Sequence, residues 1–558
     1  MQRNYSLDFK NILMKIVFFL ILVFSVSSSV ISQNSKKIPP EKPKLIVALV
    51  VDQMKNEYIS KYWNKFEDNG FKRLIGEGAY CRNTNLDYIF TQTAVGHATI
   101  FTGAMPSYHG IISNYWYNST KSLKVYCVDD DKVKSVGIKG DFGKKSPRKL
   151  LTTTIGDEIK LSNAGKSKVI SISLKDRAAI LPGGHTANGV FWFDTESGTW
   201  ITSSYYMDTL PKWVKEFNQK KYPDLYIERQ WTPMLPIEQY TESLEDKNNF
   251  EVGFVGNKTT FPYDLKLMRG ESKSYELLLS TPYGNTLTKD FALAAIVNEN
   301  LGMDAYPDFL NVSFSATDYI GHAFGPSSIE TEDTYLRLDK EIAHFLEFID
   351  SNFGKENVLV FLTSDHGVAE VPKYLMEQDI PAGYFNYNYA ITLLKSYLNA
   401  VYGYGDWVKT YMTKQIYLNH ILIEDSKLDL VDVQNKVAQF FVQFTGVANA
   451  TTATALQNNN FTNGINEKMK NNYNQNRSGD VIINLEPGWL EETSEATNHN
   501  SAYTYDTHIP LIWYGWKVTR KTITRRVSVT EIAPTISTLL NIPFPNGCMS
   551  QPIIELTE

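Results

Sequence analysis

Three stretches of this chain read as strands buried on both faces, and each stops on an acid. They are LIVALVVD (45–52), DFLNVSFSATD (308–318) and NVLVFLTSDHG (357–367). A strand with one face in water alternates polar and apolar side chains. A strand that does not alternate belongs to a parallel sheet covered by helices on two sides. KVISISLKDRAAI (168–180) and the run 508–514 add two more strands. Helices are expected between them, at 55–76, 288–301, 331–353 and 529–540. Alternating strands and helices predict an α/β sandwich around a mostly parallel sheet. Sites in such sheets lie at the carboxyl ends of the strands, which singles out Asp52, Asp318 and Asp365.

With 558 residues, 43% hydrophobic and 21% charged, one large domain with insertions can bury its core. Two regions lose the strand–helix rhythm and read as insertions. One runs over about 182–285 and contains a small β-rich part, GVFWFDTESGTWITSSYY. The other, about 380–476, reads as helix-rich with an Asn/Thr-rich loop at 451–463. A net charge of −6 argues against a nucleic-acid binder, which would carry a basic excess. At the N-terminus, Arg3, Lys10 and Lys15 precede the apolar run IVFFLILVF and then small residues. That pattern is a signal peptide, residues 1–32, followed by a Lys/Pro-rich linker, 33–44. The apolar run is too short to span a bilayer well, so the mature protein is expected to be exported, periplasmic or secreted. Cys81, Cys127 and Cys548 leave at least one thiol unpaired, and none has a metal-type spacing.

The chemistry-bearing residues fall at the ends of these strands. TQTAVGHATIFTG (91–103) places Thr93 where a loop becomes a helix. Unpaired N–H groups and the positive end of the macrodipole suit an anion there, and a hydroxyl becomes a candidate nucleophile. A plain N-cap is the competing reading. Asn114 sits in a polar turn, as an amide donor to a substrate oxygen or as a turn former. Lys175 and Arg177 follow a strand, either clamping an oxyanion or standing as solvated loop charges. Asp318-x-x-x-His322 and the adjacent Asp365-His366 point to a metal site, and mixed carboxylate and imidazole suit Zn²⁺. His499 and His508 arrive late in the chain.

In this order Asp52, Thr93, Asn114, Lys175, Arg177, Asp318, His322, Asp365, His366 and His499 resemble the alkaline phosphatase superfamily. The likeness is strongest to the exported, phosphate-irrepressible type of bacterial alkaline phosphatase, and it covers almost the whole mature chain, from VVDQM (50–54) to YDTHIPL (505–511), within a catalytic domain expected over 45–555. The resemblance implies an alkaline-phosphatase-like three-layer sandwich carrying the two insertions. It also implies two Zn²⁺ ions, one on Asp318, His322 and His499, the other on Asp52, Asp365, His366 and Thr93. Within the family's pattern His499 is preferred to His508, because the ligand precedes the Tyr-Asp pair by several residues. The implied reaction is hydrolysis of small phosphate monoesters through a phosphothreonine on Thr93. Asn114, Lys175 and Arg177 would then hold the extra charge of a monoester. Diesterase relatives generally lack that cationic pair, so a phosphodiesterase or nucleotide pyrophosphatase is the alternative. The segment around Thr93 lacks C/S-x-P-x-R, which sets a type I sulfatase aside. The resemblance favours a monomer. His97, His109, His185, His344 and His420 have no ligand pattern and are taken as structural.

Overall fold

Leu45–Val51 buries all seven of its side chains because it lies in the middle of the sheet. Leu45, Val47, Leu49 and Val51 enter one hydrophobic core; Ile46, Ala48 and Val50 enter another. The period of two along a strand splits one apolar run between two cores, which is why the sequence shows no alternation. The computed structural model describes residues 39–254, 258–270 and 274–558. The expected signal peptide and the linker as far as residue 38 lie outside them. Residues from Lys42 onward form one compact unit.

Among the described residues the main sheet has ten strands. Leu45–Val51 pairs in parallel with Asp308–Phe314 and with Val358–Thr363. Val169–Ser173 runs parallel to Asp308–Phe314, and Gly189–Asp194 runs parallel to Val169–Ser173. Beyond Val358–Thr363 the sheet turns antiparallel through His508–Gly515 and Ala79–Asn85. Helices Tyr283–Asn298 and Ile329–Asn352 supply Leu287, Phe291, Leu338, Ile342 and Phe345 to the first core. Helices Thr93–Thr102, Asp176–Gly183 and Ile532–Leu540 supply Ile100, Phe101, Ile180 and Ile536 to the second. The result is helices, sheet, helices in three layers.

Three expected boundaries move for physical reasons. The helix expected over 55–76 is two short ones, Glu57–Lys61 and Phe71–Glu77. Asp339, from a different helix, interrupts it by accepting from the N–H groups of Glu67 and Phe71, both at 2.7 Å. The β-rich GVFWFDTESGTWITS is not a separate layer. Gly189–Asp194 and Thr199–Ser203 extend the main sheet, with Phe191 and Phe193 in one core and Trp192 in the other. The region from 380 onward carries, besides its helices, a four-stranded antiparallel sheet: Val408–Met412, Gln415–Leu418, Val481–Leu485 and Val447–Thr452. This sheet has its own core with helices Tyr387–Tyr402 and Leu430–Phe441. Strands this short, one of them VANATT, give no readable pattern.

One buried acid fixes the far end of the helix that begins beside the site. Asp157 closes a capping box with Thr154. It also accepts from the backbone N–H of His185 at 2.9 Å and of Thr186 at 2.8 Å, just past helix Asp176–Gly183. Burial pushes the Asp157 carboxyl up, but the His185 bond and the N–H donors outweigh it and hold it below the usual range. A depressed folded-state value stabilises above the unfolded value, about 3.9. That stability is lost as pH falls through the folded value. Asp157→Ala is expected to lower unfolding free energy by about 3 kcal/mol at pH 7, read from denaturant midpoints. The difference from wild type should shrink below pH ~4.

Candidate active site

Asp52 leaves the carboxyl end of the central strand while still bonded to it, its N–H reaching Phe314 O at 3.0 Å. Asp318 and His322 sit one turn apart on helix Ala316–Phe324, which begins just past the neighbouring strand. Asp365 and His366 follow Val358–Thr363 on the other side. Three adjacent parallel strands thus deliver their acids to one rim.

Thr93 is the first residue of helix Thr93–Thr102 and is 1% exposed. The helix rests directly on the Asp365 loop. A Cβ on Gly96 would lie 2.3 Å from Asp365 O, so only glycine allows this approach. His97 stands one turn below Thr93, its Nδ1 2.8 Å from Thr93 O and 3.2 Å from Asp365 Oδ2. Lys175 Nζ donates to Asp52 Oδ2 at 2.7 Å, to Asp318 Oδ2, and to Thr93 Oγ1 at 3.4 Å.

The histidines are oriented by backbone carbonyls. Nδ1 of His322 lies 2.9 Å from Thr497 O, Nδ1 of His366 lies 2.9 Å from Gly367 O, and Nδ1 of His499 meets Thr91 O. A carbonyl only accepts, so each Nδ1 carries a proton and each Nε2 is the free end. Those Nε2 atoms face carboxylates. His322 Nε2 is 3.2 Å and His499 Nε2 3.6 Å from Asp318 Oδ1. His366 Nε2 is 3.5 Å from Asp52 Oδ1 and 3.6 Å from Asp365 Oδ2. Asp52 Oδ1 and His366 Nε2 are buried without a hydrogen-bond partner, and Asp365 Oδ2 has only the His97 ring beside it. Buried polar atoms are rarely left so, and here the three converge. The ligand atoms of Asp318, His366 and His499 lie within 4.8 Å of one another, as do those of Asp52, Asp365 and His366. The donor sets of these two overlapping groups fit metal ions.

Burial pushes Asp52 well above the carboxylate range, and Asp365 beside it adds to the rise. Burial acts on Asp318 too, but Lys175 and His322 hold it well below. Asp365 is likewise held down against burial, by His366 and His97. Burial lowers His366 and His499, which favours their neutral, ligating form. His322 is pushed up to about 9, Asp318 outweighing burial, so a cation held at this corner would have to displace a proton.

The other expected residues sit around this rim. Asn114 Oδ1 accepts from the N–H of Ala94 at 3.0 Å, capping the Thr93 helix and leaving the NH₂ end to donate. Arg177 donates to Tyr126 OH at 3.2 Å, whereas Lys175 reaches the carboxylates of Asp52 and Asp318. His508 lies elsewhere, 2.9 Å from Arg82 O and opposite Asn85 in the sheet. Two residues escaped the sequence reading. Gln53, φ 66°, donates its N–H to Asp365 Oδ1 at 3.2 Å and its amide to Asp318 Oδ1 at 2.8 Å, tying the two clusters together. His97 supports Asp365, although nothing in its spacing announced a role. The signal for both was adjacency: one follows Asp52, the other lies one helical turn after Thr93.

A covered, mostly parallel sheet with paired acid–imidazole clusters at its carboxyl rim is the alkaline-phosphatase-like architecture. The family model for type I phosphodiesterase / nucleotide pyrophosphatase matches residues 46–509, and the chain belongs to that family within the alkaline phosphatase superfamily. It is 44% identical to a Myroides odoratus protein named calcium-transporting ATPase, over 93% of this chain and 95% of that one. It is 41% identical to alkaline phosphatase PafA of Elizabethkingia meningoseptica, over 96% and 98%. The crystal structure of wild type PafA superposes with a TM-score of 0.89 at 41% identity, covering 93% of this chain and 99% of that one.

Proposed function

We propose that this protein is an exported, zinc-dependent alkaline phosphatase that hydrolyses small phosphate monoesters through a phosphothreonine on Thr93. The observation that carries the reading is the convergence of buried carboxylate oxygens short of hydrogen-bond donors and carbonyl-oriented imidazoles beside a helix-borne hydroxyl. Asp318, His322 and His499 would hold one Zn²⁺, and Asp52, Asp365, His366 and Thr93 the other. When bound, the pair makes the Thr93 oxygen a better nucleophile and stabilises charge on the attacking and leaving oxygens. Thr93 Oγ1 gives up its proton and forms a bond to phosphorus as the ester P–O bond breaks on the opposite face, and the departing oxygen takes up a proton and leaves as the alcohol. Water then cleaves the phosphothreonine, returning the hydroxyl and releasing inorganic phosphate. Helix N–H groups and the Asn114 NH₂ face developing negative charge with donors already in place. Near-full-length likeness to PafA supports the phosphatase reading. From the Myroides protein the reading takes only what the two names share, chemistry at a phosphoryl group. Among the described residues no helix is long and apolar enough to cross a membrane. The N-terminal apolar run supports export.

The family description favours a second reading, a phosphodiesterase. Charge discriminates, because a monoester dianion has one more charged oxygen than a diester. Lys175 lies 3.4 Å from Thr93 Oγ1, where that oxygen would sit. Replacing Lys175 and Arg177 together by Ala is expected to lower kcat/KM for an aryl monophosphate about 100-fold or more, and for the methyl aryl diester much less. Equal losses, or a wild type that prefers the diester, would favour the diesterase.

A further inference from the structure

In-line displacement has two faces: the nucleophile enters on one, and the leaving group departs on the other. The proposed arrangement groups the Thr93 hydroxyl with Asp52, Asp365 and His366, and His97 Nδ1 bridges the Thr93 carbonyl and Asp365 Oδ2, so the nucleophile enters from there. The departing oxygen then lies toward Asp318, His322 and His499. A cleft of about 370 Å³ opens against this second side. His499 lines it, and so does Gln92, the residue just before the Thr93 helix. Its apolar lining is Tyr387, Tyr411 and Met412 from the late insertion and Leu490 just after it, and Lys124, Lys414, Glu491 and Glu492 line it as well. The rings of Tyr387 and Tyr411 are stacked, centroids 5.1 Å apart and planes 11° from parallel. Tyr411 OH donates to Glu491 Oε1 at 2.5 Å, which holds that ring.

The wall is also fixed to the catalytic segment. Thr413 and Lys414 turn the hairpin with φ 51° and 56°, the left-handed pair that suits a two-residue turn. Thr413 Oγ1 meets Ser113 Oγ at 3.1 Å, beside Asn114, and Lys414 Nζ donates to Asn500 O at 2.7 Å, next to His499. A stacked aromatic pair with a thioether beside it, beyond His499 and in a cleft with room for one ring system, suits a planar ring whose polar edge meets the charged lining.

We propose that this cleft is the leaving-group subsite and that it selects phosphate monoesters of alcohols carrying a planar ring, such as phenols. The proposal rests on the phosphomonoesterase reading. It is tested with phenyl phosphate and methyl phosphate, whose intrinsic reactivities cancel when one ratio is compared between variants. Tyr387→Ala is expected to lower the phenyl-to-methyl ratio of kcat/KM about five- to tenfold. Tyr387→Phe, which keeps the ring, should restore the ratio. Inhibition by inorganic phosphate, which has no leaving group, should stay at its wild-type value in both. An unchanged ratio in Tyr387→Ala, or weakening of phosphate inhibition in step with it, overturns the proposal. Should Tyr387→Ala fail to fold, the wild type decides. Phenylphosphonate should inhibit at least about fivefold more tightly than methylphosphonate, and equal inhibition overturns the proposal. A wild type that hydrolyses neither ester sinks the phosphomonoesterase reading instead.

Discussion

Thr93→Ala is expected to lower phosphomonoester turnover by about 10³-fold or more, because removing a nucleophile leaves only the stabilisation supplied by its surroundings. The fold should survive. Thr93 is a small side chain whose hydroxyl contacts Lys175 at 3.4 Å, and Ala is a good helix former at its position. Metal content should fall little, since Asp52, Asp365 and His366 remain. A quench of wild type with labelled substrate should trap phosphate on the chain, and the same quench of Thr93→Ala should trap none. Thr93→Ser keeps the oxygen and should retain much of the activity. If Thr93→Ala keeps more than about a tenth of wild-type turnover, the hydroxyl is not the attacking group and Thr93 is only the first residue of its helix.

The layered fold was open to a reader of the sequence because burial on both faces removes alternation. Leu45–Val51 advertises a central strand by having no polar side chain at all. The acids at the rim were open for the same reason: each is the first charge after such a run. The choice of His499 over His508 required knowledge of the family order, since both precede the strand His508–Gly515 or begin it. Gln53 was hidden, because its reach to both clusters depends on a left-handed φ that no local pattern demands. The support given by His97 was hidden because Asp365 is brought above it only by tertiary packing over Gly96. The late insertion's sheet stayed unread where strands were four or five residues long, too short for a period to show. Tyr411 and Met412 of the cleft, which that sheet carries, were unreadable for the same reason.

His366→Ala is the change expected to reach both metal positions at once. Its Nε2 lies among the ligand atoms of both clusters, with Asp52 and Asp365 on one side and with Asp318 and His499 on the other. Its ring also stacks on His499, centroids 3.7 Å apart, so removing it frees the orientation of a second ligand. Alanine at this position leaves Asp52 and Asp365 facing each other with no imidazole between them. Burial already pushes Asp52 up, and two carboxylates sharing one dry corner do not both stay ionised without a cation. Protonation of Asp52 would then weaken the site further, because a ligand must be deprotonated to bind metal. Elemental analysis should therefore find about two metal ions per chain in wild type and about one or fewer in His366→Ala. Turnover should fall about 10³-fold or more and should not return on adding zinc at micromolar concentration. His508→Ala is the matched control, an imidazole lost outside the rim, and it should keep both metal and activity. Full metal content in His366→Ala would mean that the two clusters hold their ions without this ligand. His366 would then leave the ligand set, and the second ion would have to be assigned to Asp52, Asp365 and Thr93 without it.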